Sequence, residues 1–303
     1  MGLNLKTGFK AGDEDLIRSA WETARASFGW VLGRVLPSDT AVVSLTGESC
    51  ALNCAHCGGH YLKGMLSAAR AIESGRTGLR SSCLVSGGCT PDGRVPLIDN
   101  EEILRDLYDA YAGRLNFHVG LIGPKEAELL KRLSATVSFD LVGDDETVRE
   151  VFGLNRTARD YVASLALLRS GVRVFVHICI GLRGGELSGE YDALRALQRL
   201  HQSSLAGLVF IVFIPTRGTR FSDRQPPPIP DVVRLIGTAR HLFPKTPIYL
   251  GCMRPGGIYR KRLDMLAVMA GVQRIVNPFP SALQLATTLG LSLETRRECC
   301  VLE

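Results

Sequence analysis

The sequence predicts an α/β fold, a parallel (β/α)8 barrel of the TIM type, with an N-terminal amphipathic helix and a cysteine-bearing C-terminal tail. The first observation is a series of short apolar runs at 41–45, 82–86, 115–122, 136–142, 172–181, 207–214, 247–251 and 273–277. The second is that helical patterns alternate with them, for example at 99–112, 124–133, 157–170, 187–202, 229–243, 258–270 and 281–290. Strand after strand, each followed by a helix, argues for a parallel sheet closed on itself. The third is size: 303 residues fit one large barrel or two average domains, and no repeat or convincing linker divides the chain. A hydrophobic content of 46% is ample for a core, and 32 glycines suit many tight strand–helix junctions.

In chain order, residues 1–39 form a helical extension. Within it 13–36 read as one amphipathic helix capped near Asp13, with Ile17, Trp21, Ala24, Phe28 and Val31 on the face that packs on the body. The barrel occupies 40–290. Its proline-rich stretch, Gln225-Pro-Pro-Pro-Ile-Pro230, reads as a stiff strand–helix loop before a helix start at Asp231. Residues 291–303 make a tail that ends Arg-Arg-Glu-Cys-Cys-Val-Leu-Glu. No window approaches the roughly 18 apolar residues of a membrane span and no signal peptide opens the chain, so a soluble, cytoplasmic protein is expected. Nine cysteines without a secretory signal point to metal or redox chemistry. The net charge of +6 is mild, and Arg254, Arg260, Lys261 and Arg262 read as a solvated helix face. No basic stripe interleaved with aromatics is present, so nucleic-acid binding is not expected.

Active sites of such barrels lie at the carboxyl ends of the strands, and strand alternation says which side chains face inward. In 172–181 the aliphatic Val174, Val176, Ile178 and Ile180 face the helices, leaving Phe175, His177 and Cys179 inside. Asn116 and His118 point inward from 115–122, and Ser138 and Asp140 from 136–142. In 247–254 Cys252 and Arg254 share the parity of Ile248 and Leu250. The interior is expected to collect His118, Asp140, His177, Cys179, Cys252 and Arg254, a set that a polar cofactor would satisfy.

The strand at 41–45 empties into a loop with Cys50, Cys54 and Cys57, spaced Cys-x-x-x-Cys-x-x-Cys. Iron–sulfur clusters usually take four cysteines. Three therefore suggest a cluster with one iron left open, and an open metal position marks catalysis. A zinc site of Cys50, Cys54, Cys57 and His60 is the alternative, although zinc ligands normally come in two separated pairs. A single disulfide would be poorly served by so crowded a loop. Ser86-Gly87-Gly88 ends the second strand, where glycines let backbone approach a ligand closely.

The cysteine spacing resembles the radical S-adenosylmethionine superfamily, in which the open iron chelates the methionine end of the cofactor. The resemblance implies a 4Fe–4S cluster on Cys50, Cys54 and Cys57, with S-adenosyl-L-methionine beside it. Ser86, Gly87 and Gly88 resemble the motif for the cofactor's amino group, with Cys89 where the family usually has an acid. His56 stands where an aromatic residue usually flanks adenine. In the biotin-synthase-like branch, Ser138-Phe-Asp140 resembles the ribose-binding strand and Arg156 the carboxylate-binding arginine; an arginine fork suits a carboxylate. Ile180–Glu186 and Ile214–Thr219 resemble that branch's later cofactor-contacting turns. Strand seven there sets an arginine beside a second, sulfur-donating cluster, and Gly251-Cys-Met-Arg offers Arg254 and adds Cys252. The tail is expected to fold over the barrel mouth and to ligate this auxiliary cluster through Cys299 and Cys300, together with Cys252 and with Cys89 or Cys179. Cys83 reads as a small buried hydrophobe.

The motif set as a whole looks like the smaller subunit of the two-component lipoyl synthases. That resemblance implies a sulfurtransferase inserting sulfur into an octanoyl chain on a carrier-protein lysine. Hydrogen abstraction by a 5′-deoxyadenosyl radical would be followed by attack on a sulfide of the auxiliary 4Fe–4S cluster. The implied partners are a second lipoyl-synthase subunit, an octanoylated carrier protein or lipoyl domain, and a low-potential electron donor. The nearest alternative is another biotin-synthase-like enzyme, a carbon-skeleton rearranger or cofactor maturase with a single cluster. About four irons per chain would favour that, and about eight sulfur insertion. A non-catalytic iron–sulfur or zinc-binding protein is the alternative of another class.

Overall fold

A computed structural model describes residues 8–169, 171–200 and 205–302. Every apolar run of the sequence forms a strand: Thr40–Ser44 (β2), Ser82–Ser86 (β3), Leu115–Val119 (β4), Thr136–Asp140 (β5), Arg173–Ile180 (β6), Leu205–Val212 (β7), Ile248–Leu250 (β8) and Arg274–Val276 (β9). Two further strands flank them, Val31–Val35 (β1) and Ser292–Arg296 (β10). The first helix is Asp13–Phe28 (α1). Between strands run Ala68–Arg76 (α2), Glu101–Ala110 (α3), Pro124–Arg132 (α4), Asp145–Thr147 (α5) and Ala158–Leu168 (α6). Then come Glu190–Arg199 (α7), Ile229–Leu242 (α8), Gly257–Met269 (α9) and Pro280–Thr288 (α10). The parts of the sequence helices at 170 and 201–202 lie outside the described residues, as do 1–7 and 303.

The N-terminal helix is shorter than its periodicity suggests. Gly29, at φ 70°, ends it, and the β-branched Val31 and Val35 start a strand instead of continuing the apolar face. Asp13 does hold the helix start: its carboxylate accepts from Lys10 N and from both Nε and Nη2 of Arg234 on α8. Ile17, Ala20 and Ala24 are buried against the body.

The sheet is parallel throughout but is not the closed eight-stranded barrel. Its order is β10-β1-β9-β8-β7-β6-β5-β4-β3-β2, and among the described residues no ladder joins β2 to β10. The physical reason is the extra strand. β1 takes the place beside β9 that closure would give to β2, with Gly33 opposite Arg274, and β10 adds outside β1. Gly33 allows the approach, since a Cβ there would stand 2.8 Å from Arg274 Cγ. The sheet curls nevertheless, because inward residues from β1, β6, β7, β8 and β9 share one apolar cluster: Val35, Phe175, Val209, Tyr249 and Val276.

The segment after β10 bridges the open seam at the amino ends of the strands. Asp39 N donates to Arg297 O, Cys299 N to Thr40 Oγ1, and Ser81 Oγ to Glu298 Oε1, while Arg114 pairs with Glu298. The tail then turns inward, where Cys300, Val301 and Leu302 are buried and Arg274 Nη1 donates to Cys300 O at 2.5 Å. This corrects the expectation that the tail covers the barrel mouth: it closes the opposite, amino-terminal end.

Candidate functional site

The loop after β2 is held from three sides. Ala55 N donates to Val151 O, and Ala55 O accepts from Phe221 N, so the loops after β5 and β7 grip its centre. Ala51 N donates to Cys89 O at 2.8 Å, and Cys89 N lies 3.3 Å from Cys50 Sγ, which ties it to the end of β3. Cys54 O accepts from Cys57 N and Gly58 N in a tight turn, with Gly58 and Gly59 both at positive φ. The Cys57 thiol is pulled down to about 4 by the Cys54 thiol beside it, with His56 adding to the effect. Cys54 is pushed up by the same contact and by burial. A cysteine ligates metal as its thiolate, so a bound metal would have to deprotonate Cys54 as well.

Ser86, Gly87 and Gly88 stand directly against this loop. Gly88 N donates to Thr46 Oγ1, and a Cβ on Gly88 would meet Ser49 O at 1.9 Å and Cys50 Cα at 2.7 Å. Ser86 Oγ donates to His118 O. His56 packs edge-on to Phe152, ring centroids 5.9 Å apart.

The concave face carries a polar layer below the loop. His118 Nε2 lies 3.1 Å from Asp140 Oδ2, and the His118 ring stacks on His177 at 5.3 Å. Burial opposes the charged form of Asp140, but His118 outweighs it and holds the carboxyl at about 2. Burial likewise works against the His118 imidazolium, yet Asp140 raises its pKa. His177 is lowered to about 4 by burial and by the neighbouring His118 charge. The side chains of His118 and Asp140 keep 31% and 46% exposure although desolvation is the largest influence on each, so they line the wall of a hollow. Three polar atoms along it are buried and unpartnered: His56 Nδ1, Asp140 Oδ1 and His177 Nδ1. Ser138 Oγ donates to Asn116 Oδ1 within the same face.

The remaining cysteines fall into separate places. Cys89 belongs to the first loop, and burial pushes it up to about 12. Cys179 faces Asp140 and Glu190, and burial raises it well above an ordinary thiol. Cys252, Cys299 and Cys300 lie within electrostatic reach of one another near the tail. Asn116 Nδ2 stands 3.5 Å from Cys299 Sγ, and Cys299 is lowered to about 7, chiefly by the Cys300 thiol. Cys83 is wholly buried in the main core.

Two arginines form ion pairs of contrasting kinds. Arg156 is on the rim, with Nη2 3.1 Å from Asp92 Oδ1 and both side chains partly exposed. A surface pair of that kind contributes about 0–1 kcal/mol, which leaves the guanidinium exchangeable for another carboxylate. Arg254 is buried against Asp264 instead of facing the hollow. The parity expected to face the interior is reversed on this strand: Ile248 and Leu250 pack outward while Tyr249 faces in, and because β8 ends at Leu250 and the chain turns at Gly251, Cys252 is exposed instead of enclosed. Sequence reasoning also missed the π turn Val148–Phe152, which supplies both Val151 O and the Phe152 ring to the cysteine loop. Its only signal is Gly153, at φ 68°, as a stop. Among the described residues no three His, Cys, Asp or Glu side chains converge on a single-ion site, and no helix is long and apolar enough to cross a membrane.

The fold and site together define a curled parallel α/β sheet with a three-thiol loop and a polar hollow at its carboxyl end. No protein-family model and no curated protein matches the sequence. Solved structures do share the fold. The FeFe-hydrogenase maturase HydG from Carboxydothermus hydrogenoformans aligns with TM-score 0.70 and 17% identity over 93% of this chain and 72% of its own. Methylornithine synthase (PylB) aligns with TM-score 0.68 and 15% identity over 95% of this chain and 90% of its own. A second HydG structure gives TM-score 0.69 and 14% identity, covering 93% and 68%.

Proposed function

We propose that the chain is a radical S-adenosylmethionine enzyme of the biotin-synthase-like type. The observation that carries this reading is the pinned three-thiol loop, set above a hollow with unpartnered buried atoms on His56, Asp140 and His177. The fold shared with methylornithine synthase and HydG supports it. Cys50, Cys54 and Cys57 fit a cluster that leaves one iron open, because the loop carries no fourth cysteine. When bound, such a cluster with S-adenosyl-L-methionine supplies one-electron chemistry able to attack an unactivated C–H bond. The chain's own residues orient and enclose. Asp140, ionised by His118, offers an acceptor for hydroxyl groups; Gly87 and Gly88 bring backbone to the loop; Arg156 offers a fork for a carboxylate.

Within that type we propose sulfur insertion into an octanoyl chain on a carrier-protein lysine, shared with a second subunit and fed by a low-potential electron donor. The support is the second group of thiols: Cys252 from the turn after β8, and Cys299 and Cys300 from the tail, within electrostatic reach of one another. Cys89 stands beside Cys50 of the first loop, and Cys179 lies within electrostatic reach of Asp140 and Glu190.

Iron and sulfide analysis with spectroscopy on anaerobically reconstituted protein tests both parts. The expected values are about eight irons per wild-type chain and about four in the Cys50→Ala/Cys54→Ala/Cys57→Ala variant. About four in wild type and none in the variant would replace sulfur insertion with a single-cluster reading. Absence of 5′-deoxyadenosine from reduced wild-type protein given S-adenosyl-L-methionine would end the radical reading.

A further inference from the structure

The resemblance to enzymes with a sulfur-donating cluster sets an arginine beside that cluster, but Arg254 does not fit such a role. Its side chain is 0% exposed, and so is that of Asp264. Nε donates to Asp264 Oδ1 at 2.7 Å and Nη2 to Asp264 Oδ2 at 2.9 Å, a two-pronged pair. Nη1 donates to Gly251 O at 2.6 Å, and Nη2 also reaches Asn277 O at 3.3 Å. A guanidinium has N–H donors and no acceptor, and all three nitrogens of this one are engaged by Asp264, Gly251 O and Asn277 O.

We infer that Arg254 and Asp264 are a clamp that positions Cys252, not ligands. The clamp closes the turn on itself: the backbone leaves β8 at Gly251, passes Cys252, and returns at Arg254, whose own side chain holds Gly251 O. Arg260 reinforces the turn from outside, with Nη2 2.9 Å from Arg254 O and 3.4 Å from Cys252 O. Asp264 extends the tie to the loop after β9, because its Oδ2 also accepts from Phe279 N at 2.8 Å. One ion pair therefore joins the carboxyl ends of β8 and β9 to α9. Cys252 sits exposed at the apex of this turn. The value of fixing that thiol rests on the proposed second cluster; the clamp itself does not.

The test uses full-length protein with two variants. Arg254→Lys keeps a cation against Asp264. Arg254→Met/Asp264→Leu removes both charges, a change that buried pairs tolerate far better than loss of one partner. Alkylation rates of each cysteine in the metal-free chain are mapped by mass spectrometry, and iron content and the electron paramagnetic resonance spectrum are recorded after reconstitution. Arg254→Lys keeps the charge but not the fork or the Gly251 contact, so its Cys252 rate should lie between those of wild type and the double variant, with wild-type iron content and spectrum. The double variant should melt near wild type and keep the first cluster, while Cys252 alone changes its labelling severalfold. Unchanged Cys252 labelling in the double variant overturns the clamp. Loss of iron in Arg254→Lys with unchanged labelling makes Arg254 a ligand and also overturns it. If wild type holds one cluster only, the second-cluster reading fails while the labelling result still decides the clamp.

Discussion

The two adjacent glycines at the end of β3 should respond very differently to a single methyl group. A Cβ on Gly88 would lie 1.9 Å from Ser49 O, 2.7 Å from Cys50 Cα and 2.7 Å from Cys50 Cβ. A Cβ on Gly87 would meet nothing nearer than Leu45 N and Thr46 Oγ1, both at 3.4 Å. Ordinary contacts begin near 3.5 Å, so Gly88→Ala must part β3 from the cysteine loop by roughly 1 Å or more. Overpacking of this kind costs about 1–3 kcal/mol, and the upper end applies because the atoms in the way are mainly backbone. In a chain of this size that lowers Tm by roughly 2–6 °C. Parting the two segments also strains Gly88 N to Thr46 Oγ1 and Cys89 N to Cys50 Sγ. Gly88→Ala should therefore lose selectively the cluster proposed for the cysteine loop, read as iron per chain after reconstitution beside a thermal melt. Gly87→Ala should retain iron and Tm. Equal iron in all three proteins, or equal loss in both variants, would refute the assignment of Gly88 to loop packing.

The histidine pair gives opposite pH slopes in the metal-free chain. His118 has a raised pKa, so its contribution is complete below about 6.5 and is lost as pH rises through the folded value; His118→Gln should flatten melts on the alkaline side. His177, lowered to about 4, acts the other way: stability falls as pH drops from about 6.5 towards 4, and His177→Gln should remove that slope. Melts that fall together on the same side of neutrality in both variants would contradict the geometry. At the amino end, Val301 is fully buried among Val35, Phe175, Val209, Tyr249 and Val276. Val301→Ala should cost about 1–3 kcal/mol, seen in urea unfolding, and should speed alkylation of Cys299.

The part of this fold that alternation governs was legible. Val174, Val176, Ile178 and Ile180 pack in the outer core while Phe175 faces in, as the aliphatic parity of a long strand predicts. Asn116, His118, Ser138 and Asp140 gather on one face for the same reason. Alternation fails where a strand is too short to carry it. β8 has three residues, so extending its parity to Cys252 and Arg254 crosses the turn at Gly251 and loses its meaning. It fails again at β1, where the helical spacing of Phe28 and Val31 runs straight across Gly29. β10 is exposed from Ser292 to Thr295 and carries no apolar pattern at all; it exists because β1 offers it an edge.

Charged residues show the deeper limit. Arg156 and Arg254 are equally arginine-before-a-helix in the sequence, yet one forms an exposed rim pair and the other a sealed one. What separates them is a partner that no local spacing reveals: Asp92 lies on another loop, and Asp264 is two turns along α9, where the helix brings it back beneath the turn. The consequence differs in kind. An exposed pair with Asp92 can be traded for a ligand carboxylate at little cost, whereas opening Arg254 from Asp264 would leave two buried charges uncompensated, a loss of about 3–5 kcal/mol. Of two arginines that the motifs make alike, only Arg156 is free to meet a substrate or cofactor.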